Sequence, residues 1–346
     1  MIKTLIVDDS PLVRDILRDF LESEGSFQII GEGENGQDGV RKALQLSPDL
    51  ITMDIEMPVM NGLQAIDVIV KAVDAEGSFA KAPAIVVIST HDTAKMAYDA
   101  TVRGAKEFFA KDIFTSQMSN EKRGKIINTL KHITSINKKN DSFAAHRKQT
   151  IENINVAPRK IKAIVIASST GGPMALCQLF TSLPADFPVP VILVQHNTSG
   201  FDKGFVQWLN GYTGLNVVIA EDKMVLEGGN VYVAPTDKHL VIGEHGIALD
   251  DSEPVNNQKP AADLLFKSGA ELYGSSLLSV VLTGMGSDGA EGSRYVKQAG
   301  GITISQDEAT SMIYGMPQAA AATGCIDMIL PLGDISKKLI ELAGSN

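Results

Sequence analysis

Two residues with possible chemical roles each follow a short apolar run of the sequence. Asp54 ends the run Ile-Thr-Met-Asp, and Ser169 follows Ile-Val-Ile-Ala-Ser. A carboxylate in such a position can accept a phosphoryl group, and a hydroxyl can attack a carbonyl carbon once a base removes its proton. The chain therefore combines a candidate phosphorylation site with a candidate hydrolase site.

Charged and polar residues follow the other predicted strands of the first half. Asp8 and Asp9 come after the first strand, Ser89 after the fourth, and Lys111 after the run Phe-Phe-Ala. Parallel strands end at one edge of a sheet, which is where open α/β sheets build their sites. Taken alone, Asp8 and Asp9 could equally cap a helix. Together with Asp54 they predict a Mg²⁺ pocket, because crowded carboxylates repel one another unless a hard cation joins them.

Ser169, His196 and Asp288 each follow an apolar strand of the second half. Ser169 precedes Thr-Gly-Gly-Pro, a strand-to-helix turn that presents its hydroxyl beside free backbone amides. A serine needs a histidine to take its proton, and the histidine needs an acid to fix its tautomer. The three residues predict a catalytic triad, and backbone amides near Thr170 and Met285 are the candidate oxyanion donors.

Ser168 is a rival nucleophile by proximity. Adjacent strand residues point in opposite directions, and Ser169 is preferred because it directly precedes the Thr-Gly-Gly turn. The remaining histidines are interpreted as surface or structural residues and both cysteines as small buried hydrophobes. These residues are His91, His132, His146, His239, His245, Cys177 and Cys325.

The elements that would position these residues alternate between strands and helices, which predicts an α/β fold with parallel sheets. The predicted domains are residues 1–135 and a doubly wound, mostly parallel domain at 160–346, joined by a linker at 136–159. Strands are predicted at residues 4–7, 28–31, 50–53, 84–88, 161–167, 189–195, 216–220, 277–282 and 302–305. Residues 230–234 and 239–242, on either side of Pro-Thr-Asp-Lys, are predicted to form a β-hairpin.

Composition excludes several classes of protein. The net charge of -10 over 346 residues disfavours a protein that grips nucleic acid, and two distant cysteines disfavour a disulfide scaffold. Two acids directly after the first apolar run disfavour a signal peptide. No run approaches the ~20 apolar residues that a bilayer span needs, so direct membrane insertion is not expected. We expect a cytoplasmic protein.

Residues 1 to about 135 resemble the receiver domain of a two-component response regulator, on the pattern of Asp8-Asp9, Asp54, Ser89 and Lys111. The resemblance implies a flavodoxin-like, five-stranded parallel sheet, and a histidine kinase as phosphodonor. Asp54 would be the phosphoacceptor.

Further roles are implied by the same resemblance. The backbone carbonyl of Glu56 would join the acidic residues as a Mg²⁺ ligand. Ser89 would hold the phosphoryl oxygen and Lys111 would contact the phosphate. The rotamer of Phe108 would report the switch between the unphosphorylated and phosphorylated states. Two positions depart from the family pattern: Asp112 stands where proline usually follows the lysine, and Asn61 replaces a frequent aspartate.

Behind the receiver, the second half resembles the chemotaxis protein-glutamate methylesterases. The strings that carry the resemblance are Ser-Ser-Thr-Gly-Gly, Gln-His, Ala-Pro-Thr-Asp-Lys-His and Leu-Thr-Gly-Met-Gly-Ser-Asp-Gly, in that order. The resemblance implies that the triad hydrolyses glutamate methyl esters on chemoreceptor signalling domains and deamidates certain glutamines, with no cofactor in the catalytic site. It also implies that the unphosphorylated receiver blocks access to the triad.

One other function stays open from the sequence, and a second is disfavoured. The chain could be a receiver-regulated protein that binds a nucleotide or a receptor without hydrolysing anything, with Ser169 in a phosphate-binding turn. A transcription regulator would need a compact basic recognition helix, and residues 160–346 carry no such pattern.

Overall fold

The computed structural model describes residues 1–74, 82–115, 118–136 and 160–344. The chain separates into two compact units, Met1–Ala145 and His146–Asn346. The predicted linker at 136–159 lies outside the described residues except for Ile136, which ends a helix.

The first unit is a five-stranded sheet with helices between consecutive strands, and its strand order is β2-β1-β3-β4-β5 with every pairing parallel. This is the flavodoxin-like order that the resemblance predicts. The strands are β1 (Ile2–Val7), β2 (Phe27–Gly33), β3 (Leu50–Met53), β4 (Ala84–Ser89) and β5 (Glu107–Ala110). The helices are α1 (Pro11–Glu22), α2 (Gly36–Leu46), α3 (Gly62–Asp74), α4 (Ala94–Val102) and α5 (Asn120–Ile136).

Local sequence explains where the first helix begins. Ser10 lies in extended conformation at the N-cap of α1, its Oγ accepts the amide of Val13 at 3.5 Å, and Pro11 takes the first helical position. Proline is tolerated there because the first helical amides have no partner within the helix. The turn between β1 and α1 therefore holds Asp8 and Asp9 at the carboxyl edge of the sheet.

The second unit is built on a seven-stranded parallel sheet in the order β14-β13-β12-β6-β7-β9-β8. Its strands, with those of a separate two-stranded sheet, are β6 (Ala163–Ser168), β7 (Val191–Gln195), β8 (Asn216–Ile219), β9 (Asn230–Val233), β10 (His239–Gly243), β11 (Gly246–Asp250), β12 (Leu277–Val281), β13 (Ile302–Gln306) and β14 (Met328–Leu330). The helices are α6 (Gly172–Thr181), α7 (Asp202–Leu209), α8 (Ala262–Tyr273), α9 (Ala290–Gln298), α10 (Met316–Ala322) and α11 (Leu332–Gly344).

In each sheet, strands that follow one another in the chain are added first on one side and then on the other. In the second unit the strands after β6 continue on one side through β7, and the strands after β12 continue on the other side through β13. In the first unit the change lies between β1 and β3. Open α/β sheets bind ligands at this switch point, outside the carboxyl ends of the strands.

The prediction that residues 230–234 and 239–242 pair with each other as a β-hairpin was wrong. Residues 230–233 form β9, which pairs in parallel with β7 and β8 in the main sheet. The hairpin is instead β10 with β11, joined at Gly243 and Gly246. The Pro-Thr-Asp-Lys stretch is a turn, but turn chemistry does not determine whether the flanking strands pair with each other. The hairpin packs on α8, where Leu240 and Ile242 join the apolar core.

Central strands of both sheets are buried along their whole length, as expected for parallel strands covered by helices on both faces. Within the described residues, no helix combines the length and apolar character that a bilayer span requires.

Candidate active site and phosphoacceptor pocket

The turn after β6 presents Ser169 at the switch point of the second sheet. Gly171 has φ of +75°, which L side chains rarely adopt, and it precedes α6 directly. A Cβ on Gly172 would lie 2.1 Å from Gln195 Oε1, so only glycine lets α6 begin this close to β7. The Thr-Gly-Gly string thus creates the sharp strand-to-helix turn that the sequence predicted.

Ser168 and Ser169 have different environments. Ser168 is fully buried, and its Oγ donates to Gln195 Oε1 at 2.6 Å. The Gln195 amide in turn donates to the carbonyl oxygens of Ser169 at 3.1 Å and His196 at 3.0 Å. Ser168 therefore belongs to a hydrogen-bond network beneath the turn, which sequence reasoning missed and which disfavours it as the nucleophile.

His196 lies beside Ser169 at the end of the neighbouring strand. Ser168 and Gln195 are register partners, and the His196 amide donates to Ser168 O at 2.9 Å. Since neighbouring strands lie roughly 4.8 Å apart, the next residues along, Ser169 and His196, are adjacent. His196 Nε2 bonds Asp288 Oδ2 at 2.8 Å, whereas its buried Nδ1 has no hydrogen-bond partner among the described residues.

Asp288 is 3% exposed and accepts hydrogen bonds on both carboxylate oxygens. Oδ2 accepts from His196 and from the Ala262 amide at 2.7 Å, and Oδ1 accepts from the amides of Asp263 and Gly289 at 3.0 Å each. Burial alone would raise the pKa of Asp288, but the His196 and backbone hydrogen bonds outweigh it and lower that pKa. Asp288 is thus a fixed anion beside the imidazole.

The loop after β12 closes on the nucleophile turn. The Ser169 amide donates to Thr283 O at 3.0 Å, and Thr283 Oγ1 donates to Thr170 O at 3.0 Å. A Cβ on Gly284 would lie 2.7 Å from Ser169 Cβ, so residue 284 must be glycine for this loop to pack against the turn. The backbone at Thr170 and at Met285, the residue after Gly284, therefore belongs to the two segments that meet at Ser169.

The first unit has a second polar cluster, at the ends of β1, β3 and β5. Lys111 Nζ lies 2.8 Å from Asp8 Oδ2 and 2.8 Å from Asp54 Oδ2. Burial above all, aided by the charge of Asp8, raises the pKa of Asp54 to about 6 although Lys111 opposes this. Burial would lower the pKa of Lys111, but its bonds to the two carboxylates raise it.

The acidic cluster has the donor set of a hard cation site. One carboxylate oxygen each from Asp8, Asp9 and Asp54 lies within 4.8 Å of the others. Asp8 and Asp54 are buried and Asp9 is exposed, so the cluster opens to solvent on one side. Three carboxylates against the single charge of Lys111 leave an excess of negative charge that a divalent cation such as Mg²⁺ fits. Glu56, the predicted carbonyl ligand, is exposed two residues after Asp54.

The other positions considered in the receiver lie at the end of β4, within β5 and in the turn after β5. Ser89 is fully buried, and its Oγ contacts Thr93 Oγ1, a neighbour that the sequence did not indicate. Phe108 is buried with its ring edge-on to Tyr98, 4.7 Å between centroids. Asp112 lies in a short 3₁₀ turn directly after Lys111.

Two more buried residues lie next to the catalytic cluster: His239, which is structural as interpreted, and Asp263, which sequence reasoning missed. His239, interpreted as surface or structural, is fully buried, and its Nδ1 accepts the Ala261 amide at 3.1 Å. Asp263 lies in the first turn of α8 and accepts the amides of Gly289 and Gly292. An acid in the first turn of a helix is a recognisable sequence signal, but its partners on another helix are not.

Fold and geometry together define a response regulator whose effector unit is an α/β domain carrying a serine–histidine–aspartate cluster. Residues 4–121 match the family model described as response regulator receiver domain, and residues 164–339 match that of CheB methylesterase. The chain belongs to the protein-glutamate methylesterase/protein-glutamine glutaminase family, as the sequence motifs predicted.

Relatives of that name cover nearly the whole chain. One from Thermotoga maritima is 34% identical, with 99% of this chain and 98% of the relative aligned. One from Clostridium acetobutylicum is 36% identical, with 99% and 97% aligned. Among solved structures, the Thermotoga maritima CheB methylesterase catalytic domain is 40% identical with a TM-score of 0.51, over 53% of this chain and all of that domain.

Proposed function

We propose that this chain is a phosphorylation-activated serine hydrolase that converts glutamate methyl esters of chemoreceptor signalling domains to glutamate and methanol. The same site would deamidate certain receptor glutamines. One observation carries the proposal: His196 bonds Asp288 through Nε2 at 2.8 Å, its Nδ1 has no partner in the described part of the chain, and it lies next to Ser169, which follows the adjacent strand. The names of the relatives include both activities.

The hydrogen bonds assign a role to each ring nitrogen. With Asp288 ionised, His196 Nε2 carries the proton that is donated to the carboxylate, so Nδ1 has the lone pair. Nδ1 accepts the proton of Ser169 Oγ as the oxygen attacks the ester carbonyl. Asp288 then stabilises the resulting imidazolium.

The tetrahedral intermediate needs donors for its oxyanion. The backbone amides of Thr170 and Met285 would supply them, and removing one such donor typically costs about 3–4 kcal/mol of transition-state stabilisation. The imidazolium gives its proton to the departing methoxide, which leaves as methanol. Water, deprotonated by His196, then attacks the acyl-enzyme, and His196 returns that proton to Ser169 Oγ as the ester bond breaks and glutamate leaves. With a glutamine substrate the leaving group is ammonia, and the remaining steps are unchanged.

Control would come from the receiver pocket. Asp54 would accept a phosphoryl group from a histidine kinase. Asp8, Asp9 and Asp54, with the Glu56 carbonyl, would hold Mg²⁺, which neutralises charge on the incoming group. Ser89, Lys111 and Phe108 would then respond to the new phosphoryl oxygens. In the resting state the receiver would limit access to the triad, and the reaction would take place in the cytoplasm.

Methanol release from methylated receptor membranes tests the catalytic assignment. We expect Ser169→Ala to abolish release and Ser168→Ala to retain it within about tenfold, because Ser168 serves the Gln195 network. Thermal melts establish that both variants are folded. Loss of turnover in folded Ser168→Ala, with Ser169→Ala still active, would contradict the assignment.

A serine-directed phosphonate separates hydrolysis from binding. A hydrolase is labelled covalently at Ser169, and the label is lost in Ser169→Ala. A receiver-regulated binding protein without a nucleophile would not be labelled in either form.

Activation by phosphorylation has its own test. Asp54→Asn keeps basal hydrolysis but is no longer stimulated by a small phosphodonor, because the amide cannot form the acyl phosphate. Stimulation that persists in this variant would exclude Asp54 as the phosphoacceptor.

A further inference from the structure

The triad carboxylate Asp288 and its neighbour Asp263 each bind backbone amides at the start of a helix. Asp288 immediately precedes the N-cap of α9 but accepts the amides of Ala262 and Asp263, at the start of α8. Asp263, in the first turn of α8, accepts the amides of Gly289 at 2.9 Å and Gly292 at 2.7 Å, at the start of α9. Each helix therefore supplies the anion that caps the other.

This exchange links the position of Asp288 to that of Asp263. The Gly289 amide is shared between Asp263 Oδ1 at 2.9 Å and Asp288 Oδ1 at 3.0 Å. A shift of α9 relative to α8 would lengthen these bonds and also move the carboxylate that holds His196. Both helices are two or more turns long, so both N-termini attract negative charge.

Asp263 is itself tightly held. It is 7% exposed, and its Oδ2 accepts a hydrogen bond from Asn256 Nδ2 at 3.1 Å. Burial, together with the charges of Asp288 and Glu291, raises the pKa of Asp263 to about 6, although the two glycine amides oppose the rise. Near neutral pH the side chain is an anion that keeps all three acceptor contacts.

His239 supports the same arrangement from the hairpin side. Its Nδ1 accepts the Ala261 amide at 3.1 Å and its Nε2 donates to Glu253 O at 3.1 Å, which defines a neutral ring. Ala261 is the N-cap of α8 and has no side-chain cap of its own. His239 thus holds the residue just before α8, and the next two amides of the chain, those of Ala262 and Asp263, donate to Asp288.

We propose that Asp263 is a positioning residue for the hydrolysis, because it holds the start of α9 so that Asp288 stays aligned with His196. The proposal rests on the proposed function for its kinetic consequence. The alignment itself is a structural claim that can be measured without turnover.

The kinetic test compares three substitutions of Asp263 in the full-length protein. In Asp263→Ala, kcat for methanol release falls by about 10- to 100-fold with KM unchanged within twofold, as expected for a misaligned catalytic group. Asp263→Ser falls in the same direction, since its shorter side chain cannot reach both amides. Asp263→Asn keeps an acceptor oxygen for the Gly289 and Gly292 amides and recovers kcat to within about fivefold of wild type.

Asp327→Ala is the matched control. Asp327 also accepts a backbone amide, from Thr303 at 3.0 Å near the start of β13, and it pairs with Lys297 in the last turn of α9, at the other end of that helix from Gly289. General loss of stability would appear in this variant too, and we expect its kcat to stay within twofold of wild type.

A spectroscopic readout reports alignment directly. In protein labelled with ¹⁵N-histidine, the proton on His196 Nε2 in its bond to Asp288 gives a low-field signal that is lost in Asp288→Asn. We expect this signal to shift or broaden in Asp263→Ala and Asp263→Ser, and to persist in Asp263→Asn and Asp327→Ala. Should Asp263→Ala not fold, the serine variant carries the same comparison.

An unchanged signal and unchanged kcat in folded Asp263→Ala or Asp263→Ser would overturn the proposal, and so would an equal loss of kcat in Asp327→Ala. Wild-type protein that releases no methanol would instead refute the proposed function. The His196 signal would in that case still decide whether Asp263 positions Asp288.

Discussion

The two sites place an aspartate in nearly the same position of two different sheets, yet they hold it in opposite ways. Asp54 and Asp288 both lie at a switch point and are 4% and 3% exposed. The pKa of Asp54 is raised to about 6, whereas the pKa of Asp288 is lowered. Burial raises the pKa of both carboxyl groups, so burial cannot account for the difference in direction.

The difference follows from the donors. Asp288 accepts four hydrogen bonds: the one from His196 lowers its pKa most, and three more come from backbone amides that cannot move away. Asp54 accepts the Ile55 amide at 2.7 Å and shares the Lys111 ammonium with Asp8. A carboxylate held by both an imidazole and fixed amides is a lasting anion, suited to orient that imidazole, whereas Asp263, which has amides but no imidazole, keeps a raised pKa of about 6. One with too few donors is suited to take up a cation and a phosphoryl group.

Of the changes that test this contrast between Asp288 and Asp54, Asp288→Asn should have the largest effect, and the effect is on kcat. The single amide oxygen cannot accept hydrogen bonds from His196 Nε2 and from three backbone amides at once, so the imidazole is no longer held in one tautomer. We expect kcat to fall by about 10⁴-fold, as for the equivalent change in other triads. Methanol release measures it, with Asp54→Asn as the control that removes a buried carboxylate charge from the other pocket.

Equal losses of basal turnover in Asp288→Asn and Asp54→Asn would contradict the division of roles between the two sites.

Much of this arrangement could be predicted from the sequence because strand ends are a local signal. Apolar runs locate the strands, and parallel sheets collect the residues that follow them at one edge. That reasoning brought His196 and Asp288 together across 92 positions of sequence, and the structure joins them at 2.8 Å. It also brought Lys111 to Asp8 and Asp54.

Strand pairing and hydrogen bonds that depend on residues far apart in the sequence could not be predicted. Residues 230–233 and 239–243 have the spacing of a hairpin, but the first run pairs with β7 and β8 because its apolar residues fill the main sheet. β14 has three residues and no pattern long enough to recognise. The amides that donate to Asp263 lie at the start of another helix, and Ser168 donates to a side chain one crossover later. Such contacts depend on tertiary packing rather than on local periodicity.

The stability of the receiver should depend on pH through Asp54. Its folded-state pKa of about 6 exceeds the ordinary 3.8, so the folded receiver binds this proton more tightly than the unfolded chain does. That stabilising contribution is complete below about pH 4 and is lost as pH rises through 6. We expect the loss to reach about 1–3 kcal/mol by pH 7 without divalent cations, and to be absent in Asp54→Asn.

Hydrogen exchange of the slowest amides in β1 and β3 of the full-length protein measures this difference, after correction for intrinsic exchange rates. Identical pH dependence in wild type and Asp54→Asn would show that Asp54 is already compensated, as Asp288 is.

Binding of Mg²⁺ should be the smallest of the three effects and the sharpest test of the contrast. Because the cation needs ionised Asp54, its dissociation constant should be steady above about pH 7 and rise toward tenfold per pH unit below about 6. Asp9→Asn removes an exposed ligand, and should weaken binding at every pH without moving the midpoint. Isothermal titration calorimetry at pH 5, 6 and 7 measures both.

Mg²⁺ should also slow hydrogen exchange in β1 and β3 but leave β6 and β12 unchanged, since the catalytic carboxylate already has its full set of donors. A dissociation constant independent of pH would mean that Asp54 is ionised before the cation arrives. Protection of β6 and β12 by Mg²⁺ would mean that the catalytic carboxylate takes up the cation as well. Either result would remove the physical basis for treating one carboxylate as a receptor for charge and the other as a permanent anion.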